Sequence, residues 1–179
     1  MMYGMERKTD MSLINDMNSY KAKVIFNKLP IAELTQEKLD ELEQLAKDEP
    51  SGNIKYCLHE HSEDALHEML NFYTAYSYCQ PHYHPDKVET KIILKGELLT
   101  IIYDENGEEK QRIIMSPSQG ARILHLKEGI IHTDIPLTDC IFWELKTGPF
   151  DKERDNVFLD RYPTMMAKED VRNFVGVSR

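Results

Sequence analysis

The chain has 179 residues, a formal net charge of −9 and 30% charged residues. That length suits one domain with additions, large enough to bury a substantial core without a covalent staple. The acidic balance opposes nonspecific binding to nucleic-acid backbones, which needs clustered lysines and arginines, yet it leaves room for a basic pocket around an anionic metabolite. Cys57, Cys79 and Cys140 are odd in number and widely spaced, which argues against a disulfide framework and a zinc knuckle. No apolar run has membrane-spanning length and the first residues lack a signal-peptide core, so the expected partners exclude membranes and the expected location is the cytoplasm.

Residues 1–20 are polar and without periodicity, and they read as a flexible N-terminal arm. From Lys21 the pattern becomes a short strand, KAKVIFNKL, and Thr35 then sits as the N-cap of a helix whose apolar stripe is Leu39, Leu42, Leu45 and Ala46. Pro50 and Gly52 end it. In IKYCLHEHSEDALHEML, Ser62 is placed to cap a second, short helix with Glu63 and Asp64 in its first turn. His59, His61 and His67 lie around that segment. Histidines so placed usually cap, bond a carbonyl or face water, and a pocket role for His59 and His67 is the narrower alternative.

Beyond that point the composition is that of strands: NFYTAYSYC, VETKIIL, LLTIIY, QRIIM, ARILHL and CIFWELK alternate aromatic and β-branched residues. Asn106-Gly107 between the third and fourth is a hairpin signal of the I′ kind. Residues 151–179 are charged with scattered apolar positions, ending in a helix around Lys168 to Phe174. They are expected to wrap over the core or a partner subunit.

The chemistry concentrates in Gln80–Gly96, QPHYHPDKVETKIILKG. His82 and His84 are two apart, so on a strand both imidazoles point to one face. Glu89 would face the other way on an unbroken strand, but Pro85-Asp86 interrupts it and can restore the parity. Downstream, KEGIIHTDIP places Gly129 three residues before His132, where a tight turn can feed a strand that brings a third imidazole to the same point. Three neutral nitrogens and one carboxylate suit one divalent transition metal of the Fe, Mn, Ni, Co or Zn kind, and two positions stay open if the ion is octahedral. Strand parity adds Tyr76, Tyr78 and Gln80, counted back from His82, and Lys91, counted forward from Glu89, as substrate-binding candidates. Lys91 facing inward calls for an anionic ligand or a carboxylate partner; on an edge strand it would face water. Either Phe142 or Trp143 points inward, and both read as packing.

HYHPDKVETKIILKG resembles the first cupin motif in its two histidines, glutamate and glycine, and EGIIH resembles the core of the second. The family's glycine at the start of the first motif is Tyr76 here. A narrower resemblance runs from Leu34 to Pro149: LxxLxxLA in the helix, CLH at Cys57 to His59, DALHEML, PHYHP and ELKTGPF are similar to WbuC-type cupin-fold metalloproteins. The basic residues that family carries before CLH are reduced to Lys55, and the last thirty residues lie outside the resemblance.

The resemblance implies a mainly β fold, the cupin double-stranded β-helix or jelly-roll barrel, with one or two N-terminal helices in residues 21–150 and a C-terminal extension in 151–179. It implies a metal held by His82, His84, Glu89 and His132, a homodimer, and a small-molecule ligand, anionic or sugar-derived, linked to surface-polysaccharide biosynthesis. The resemblance brings no established reaction; for an enzyme the open classes are a metal-dependent isomerase or epimerase and a dioxygenase, and a non-catalytic carbohydrate or metabolite binder is the alternative, since such barrels host both.

Overall fold

The computed structural model describes residues 22–176, so the arm expected over 1–20 lies outside the described residues. The first strand, β1 (Lys23–Phe26), runs parallel to β2 (Asn53–Cys57), and between them lies helix α1 (Gln36–Asp48). Thr35 caps α1 by accepting from the Lys38 backbone N–H at 3.3 Å, which satisfies one of the otherwise unpaired donors of the first turn. Its apolar stripe buries Leu42 and Ala46 against Ile54, Leu70, Phe72 and Ile141. A side chain as fully buried as Leu42 stabilises the contact by roughly 2 kcal/mol.

Among the described residues, eleven strands form two sheets. The remaining nine are β3 (Leu66–Tyr73), β4 (His82–Tyr83), β5 (Glu89–Lys95), β6 (Leu98–Tyr103), β7 (Glu109–Met115), β8 (Ile123–Leu126), β9 (His132–Pro136), β10 (Cys140–Thr147) and β11 (Val157–Phe158). One sheet has the order β1-β2-β3-β10-β5-β8 and the other β11-β4-β9-β6-β7. Apart from the β1–β2 pair, every strand pairing in both sheets is antiparallel. This is a double-sheet jelly roll, the mainly β architecture expected of the sequence.

Two local expectations are corrected. The second helix after Ser62 does not form; Leu66–Tyr73 is a strand held between β2 and β10. His67, Met69 and Asn71 alternate with Glu68, Leu70 and Phe72, so the segment serves two faces, and tertiary pairing overrides the local cap signal. The hairpin between β6 and β7 does form, but Gly107 alone has positive φ (74°) there and its N–H closes on the Asp104 carbonyl at 2.8 Å. That is a turn followed by a left-handed glycine, with a register shift at Ile102/Tyr103, in place of a two-residue I′ turn.

The space between the sheets is divided along its length. At one end Ile93, Leu98, Met115, Cys140 and Phe142 form an apolar cluster, with Phe142 inward and Trp143 outward. Towards the other end the rows become polar: Glu144 stands opposite Lys91, and Lys146 stands between Glu89 and His67. Alternation carries the same facing residues from packing into chemistry.

Residues 157–176 lie along this barrel. Helix α2 (Lys168–Val175) lays Val171 and Val175 on the outer face of the five-stranded sheet, against Leu99, Ile101 and Ile135. Gly176, in the left-handed conformation, ends it.

Candidate metal centre

His82 opens β4 and His132 opens β9, and the two stand directly opposite each other in the antiparallel pair. His84 follows β4, and the chain then turns through Pro85–Val88 so that Glu89 enters β5 pointing back at it. His84 Nε2 lies 3.0 Å from Glu89 Oε2, and His132 Nε2 lies 3.8 Å from Glu89 Oε1. Ligand nitrogens of His82, His84 and His132 all lie within 4.8 Å of one another, and all three rings are buried.

The three rings are tilted to one another but are oriented by the same device. His82 Nδ1 donates to the Gln80 carbonyl (2.9 Å), His132 Nδ1 to the Ile130 carbonyl (3.0 Å) and His84 Nδ1 to the Asp155 carbonyl (2.5 Å). With each Nδ1–H committed to a carbonyl, each ring turns its Nε2 edge into the shared space, the pattern of histidines placed to ligate, and His84 Nε2 is met there by Lys146 Nζ at 3.1 Å. His132 Nε2 is buried and has no hydrogen-bond partner among the described residues. An orphaned acceptor of this kind costs about 1–3 kcal/mol unless something electropositive meets it. The residues therefore fit a single divalent ion.

Burial holds His82 and His132 below the usual imidazole range, His132 adding to the effect on His82 and Lys91 to that on His132. For Glu89, burial pushes the carboxyl up, but the ammoniums of Lys146 and Lys91 outweigh it and hold the group well below the usual range. Lys146 Nζ sits 2.9 Å from Glu89 Oε2 and 2.8 Å from Glu144 Oε1, and Lys91 Nζ sits 2.6 Å from Glu89 Oε1 while also bonding Asp134. Lys55 reaches Glu144 at 3.4 Å, and Glu144 is depressed to about 2 by Lys146 and Lys55 against the upward push of burial. Three carboxylates, Glu89, Asp134 and Glu144, thus face three ammoniums, Lys55, Lys91 and Lys146, and their formal charges cancel. Asp134 together with Glu89 and His132 forms a second group of ligand atoms within 4.8 Å.

The other sequence candidates are placed as follows. Lys91 is fully inside, engaged by Glu89 and Asp134. His67 is buried on the same inner row as Lys146 and Glu89, donates to the Ser62 carbonyl at 3.1 Å, and stacks on His59 at 4.2 Å between centroids. Tyr76, Tyr78 and Gln80 are brought elsewhere. The chain from Thr74 to Pro81 is not a strand, and Tyr76 takes a φ of 60°, so the count by twos does not hold across it. Tyr76 and Tyr78 pack in the cluster beneath α2, and Gln80 Nε2 donates to the carbonyls of Leu159 and Tyr162, both at 3.0 Å.

The site holds further residues beyond those motifs. Glu144 and Lys146 were signalled by alternation in CIFWELKT, where Cys140, Phe142, Glu144 and Lys146 share a face. Asp134 is signalled by its place two residues after His132. Lys87 and Asp155 carry no local signal, because they meet across 68 residues of chain.

Compared with solved structures, the chain is similar to a "Crystal structure of CapF with inhibitor 3-isopropenyl-tropolone": 18% identity, TM-score 0.50, covering 60% of this chain and 31% of that one. The fold is that of the cupins. A second CapF, described as a "capsular polysaccharide assembling protein" from Staphylococcus aureus, matches at 19% identity and TM-score 0.48 over 59% of this chain and 28% of its own. Oxalate decarboxylase from Bacillus subtilis matches at 17% and TM-score 0.45 over 65% and 29%. The chain therefore spans under a third of the length of each of these three. A family model described as "Domain of unknown function (DUF6016)" matches residues 34–115, which takes in His82, His84 and Glu89 and stops short of His132. No curated protein matches the sequence. Among the described residues, no helix is long and apolar enough to cross a membrane.

Proposed function

We propose that the protein is a mononuclear metalloprotein in which His82, His84, Glu89 and His132 hold one divalent transition metal, and that it acts on a small anionic, sugar-derived metabolite of surface-polysaccharide biosynthesis. The observation that carries the metal is that three buried imidazoles each give Nδ1–H to a carbonyl and so turn Nε2 towards one space, where His132 Nε2 is unpartnered among the described residues. The polysaccharide context rests on the resemblance of CLH, DALHEML, PHYHP and ELKTGPF to WbuC-type proteins.

Charge supports the anionic ligand. The interior carboxylates and ammoniums cancel, so a divalent ion would leave two positive charges in a low-dielectric space, and an anionic substrate is the group that offsets them. Such an ion supplies Lewis acidity at an open coordination position. The chain's own residues do the rest: Lys146 and Lys91 keep Glu89 ionised, His67 backed by His59 lines the row beside Lys146, and Lys91 fixes Asp134.

A binding role without turnover is the second reading, and one observation favours it. Burial would strip the protons from Lys91 and Lys146, but Asp134, Glu89 and Glu144 outweigh it and raise both, so neither ammonium is a base at neutral pH. The test incubates metal-loaded protein with hexuronates and sugar phosphates in D2O and follows them by NMR. Isomerisation or deuterium wash-in at carbon establishes an enzyme; binding with unchanged substrate establishes the binder. Protein that neither retains nor takes up Fe, Mn, Co, Ni or Zn by elemental analysis overturns the metal assignment.

A further inference from the structure

Two of the three imidazoles are oriented locally. His82 and His132 each donate Nδ1–H to the carbonyl two residues earlier, at Gln80 and Ile130. His84 is different: its acceptor is the Asp155 carbonyl, 71 residues downstream in the segment that the family resemblance leaves unexplained.

That segment is fastened on both sides of the histidine pair. Asp155 is buried, and its carboxylate Oδ2 accepts from Lys87 Nζ at 2.6 Å and from the Asp151 backbone N–H at 2.9 Å. The Asp155 N–H returns to the Asp151 carbonyl at 2.9 Å, closing a tight turn, and Lys87 also donates to the Pro149 carbonyl. Beyond the turn, β11 pairs with β4, Phe158 opposite His82, with the two rings 5.6 Å apart. The Leu159 N–H then donates to the Pro81 carbonyl at 2.9 Å, and Gln80 holds the Leu159 and Tyr162 carbonyls.

We infer that Phe150–Tyr162 is a strap belonging to the metal centre, in which the Lys87–Asp155 ion pair is a clamp that sets the tautomer and angle of His84. The inference rests on the metal reading of the site. The physical reason is geometric. A backbone carbonyl cannot aim at an imidazole unless its own peptide is fixed, and the carboxylate of the same residue is what Lys87 fixes. Without the clamp, the buried Nδ1–H loses its acceptor, and Glu89 Oε2, 3.0 Å from Nε2, draws the ring towards the tautomer in which Nε2 carries the proton and cannot ligate, against the Lys146 Nζ contact at 3.1 Å that favours the other. Lys87 and Asp155 are positioning residues: both act through His84. A segment that merely packed over the barrel would leave the tautomer unchanged when its ion pair is removed.

The test compares wild type, Lys87→Met, Lys87→Arg and the double variant Lys87→Met/Asp155→Asn, which removes both charges and so avoids an uncompensated buried carboxylate. Zn2+ and Co2+ affinities are measured by competition with a chromophoric chelator, and histidine tautomers of the metal-free proteins by 15N NMR. Expected are a 10–100-fold loss of affinity in Lys87→Met and in the double variant, a mixed tautomer at His84 with His82 and His132 unchanged, and substantial recovery in Lys87→Arg. Should Lys87→Met fail to fold, the double variant decides by the same two readouts. Wild type that binds metal alongside folded variants with unchanged affinity and unchanged His84 tautomer overturns the strap while leaving the metal centre intact. Wild type that binds neither ion overturns the metal reading, and the strap's role with it.

Discussion

Lys91 Nζ lies 2.6 Å from Oε1 of Glu89, two positions earlier on the same strand, while Lys146 from the neighbouring strand takes the other oxygen at 2.9 Å. A carboxylate shared by two buried ammoniums is strongly asymmetric in its energetics, because removing it leaves the balanced interior with one uncompensated positive charge. Glu89→Gln is expected to destabilise the metal-free protein by about 3–5 kcal/mol, and Lys91→Met to do so by a similar amount through Asp134, which loses its ammonium. Urea denaturation measures both. A loss below about 1 kcal/mol for either would be that of a solvated surface pair and would contradict the buried cluster.

Metal content should follow the imidazoles. His82→Ala/His132→Ala, which leaves the interior ion pairs in place, is expected to abolish retention of the ion with a fold still supported by the apolar end of the barrel. Elemental analysis and circular dichroism on the same sample check it; a variant that keeps a stoichiometric ion places the ligands elsewhere.

Acidification should destabilise the metal-free protein. His82 and His132 are held below the usual imidazole range by burial, so the unfolded chain takes up protons near pH 6.5 that the folded chain refuses. Stability then falls as pH drops below that value, by up to about 1.4 kcal/mol per pH unit for each ring. Glu89 and Glu144, both depressed by their lysines against the pull of burial, act in the same direction. Their stabilisation is present above the ordinary carboxyl range and is lost as pH falls through the folded values. Denaturation midpoints at about pH 7, 5.5 and 4 should decrease in that order, and a flat profile would mean that the rings are solvated.

Two glycines of the motifs should respond differently to alanine. Gly96, φ 78°, joins β5 to β6 where an added Cβ would stand 2.2 Å from the Asp139 carbonyl oxygen. Gly129, φ 74°, has nothing within 4 Å of the same position. Gly129→Ala is expected to cost only the backbone term of about 1–2 kcal/mol, and Gly96→Ala distinctly more. Equal losses in urea denaturation would show that the β5–β6 turn gives way to the methyl.

Val171 on α2 is fully buried against the outer face of the five-stranded sheet. Val171→Ala should cost about 1.5 kcal/mol, from roughly 0.8 kcal/mol per methylene, and should raise hydrogen exchange in α2 before that in β9. No change in either would mean that the helix is not docked in solution.

Much of the fold could be read locally. Thr35, the alternating strands and the HxH pair each act through neighbours a few residues away, and the structure has the strands and the helix that those signals describe. The segment after Ser62 departs from its local pattern because its helix cap is a local signal and its strand pairing is not. Parity failed between Tyr73 and His82 for a related reason: Tyr76 adopts the left-handed backbone at the position where the cupin motif has glycine, and one such residue breaks the alternation on which counting by twos depends. The lysines around Glu89 were half legible, since Lys91 and Lys146 follow strand parity, whereas their carboxylate partners lie on other strands. Lys87 with Asp155 was beyond reach, because nothing in either neighbourhood refers to the other.

The pairing of β3 with β10 joins residues some seventy positions apart, and the His84–Asp155 hydrogen bond spans a similar distance. On the ribosome, His82 and His84 therefore emerge well before the chain that closes the barrel and orients the second of them. A nascent chain at that stage presents two unshielded imidazoles with no organised geometry, open to whatever ion is most competitive. On the proposed metal reading, selection of the ion would wait until the closing segments have been made and folded, which would make loading a late event whose outcome depends on the order of synthesis as well as on the finished site.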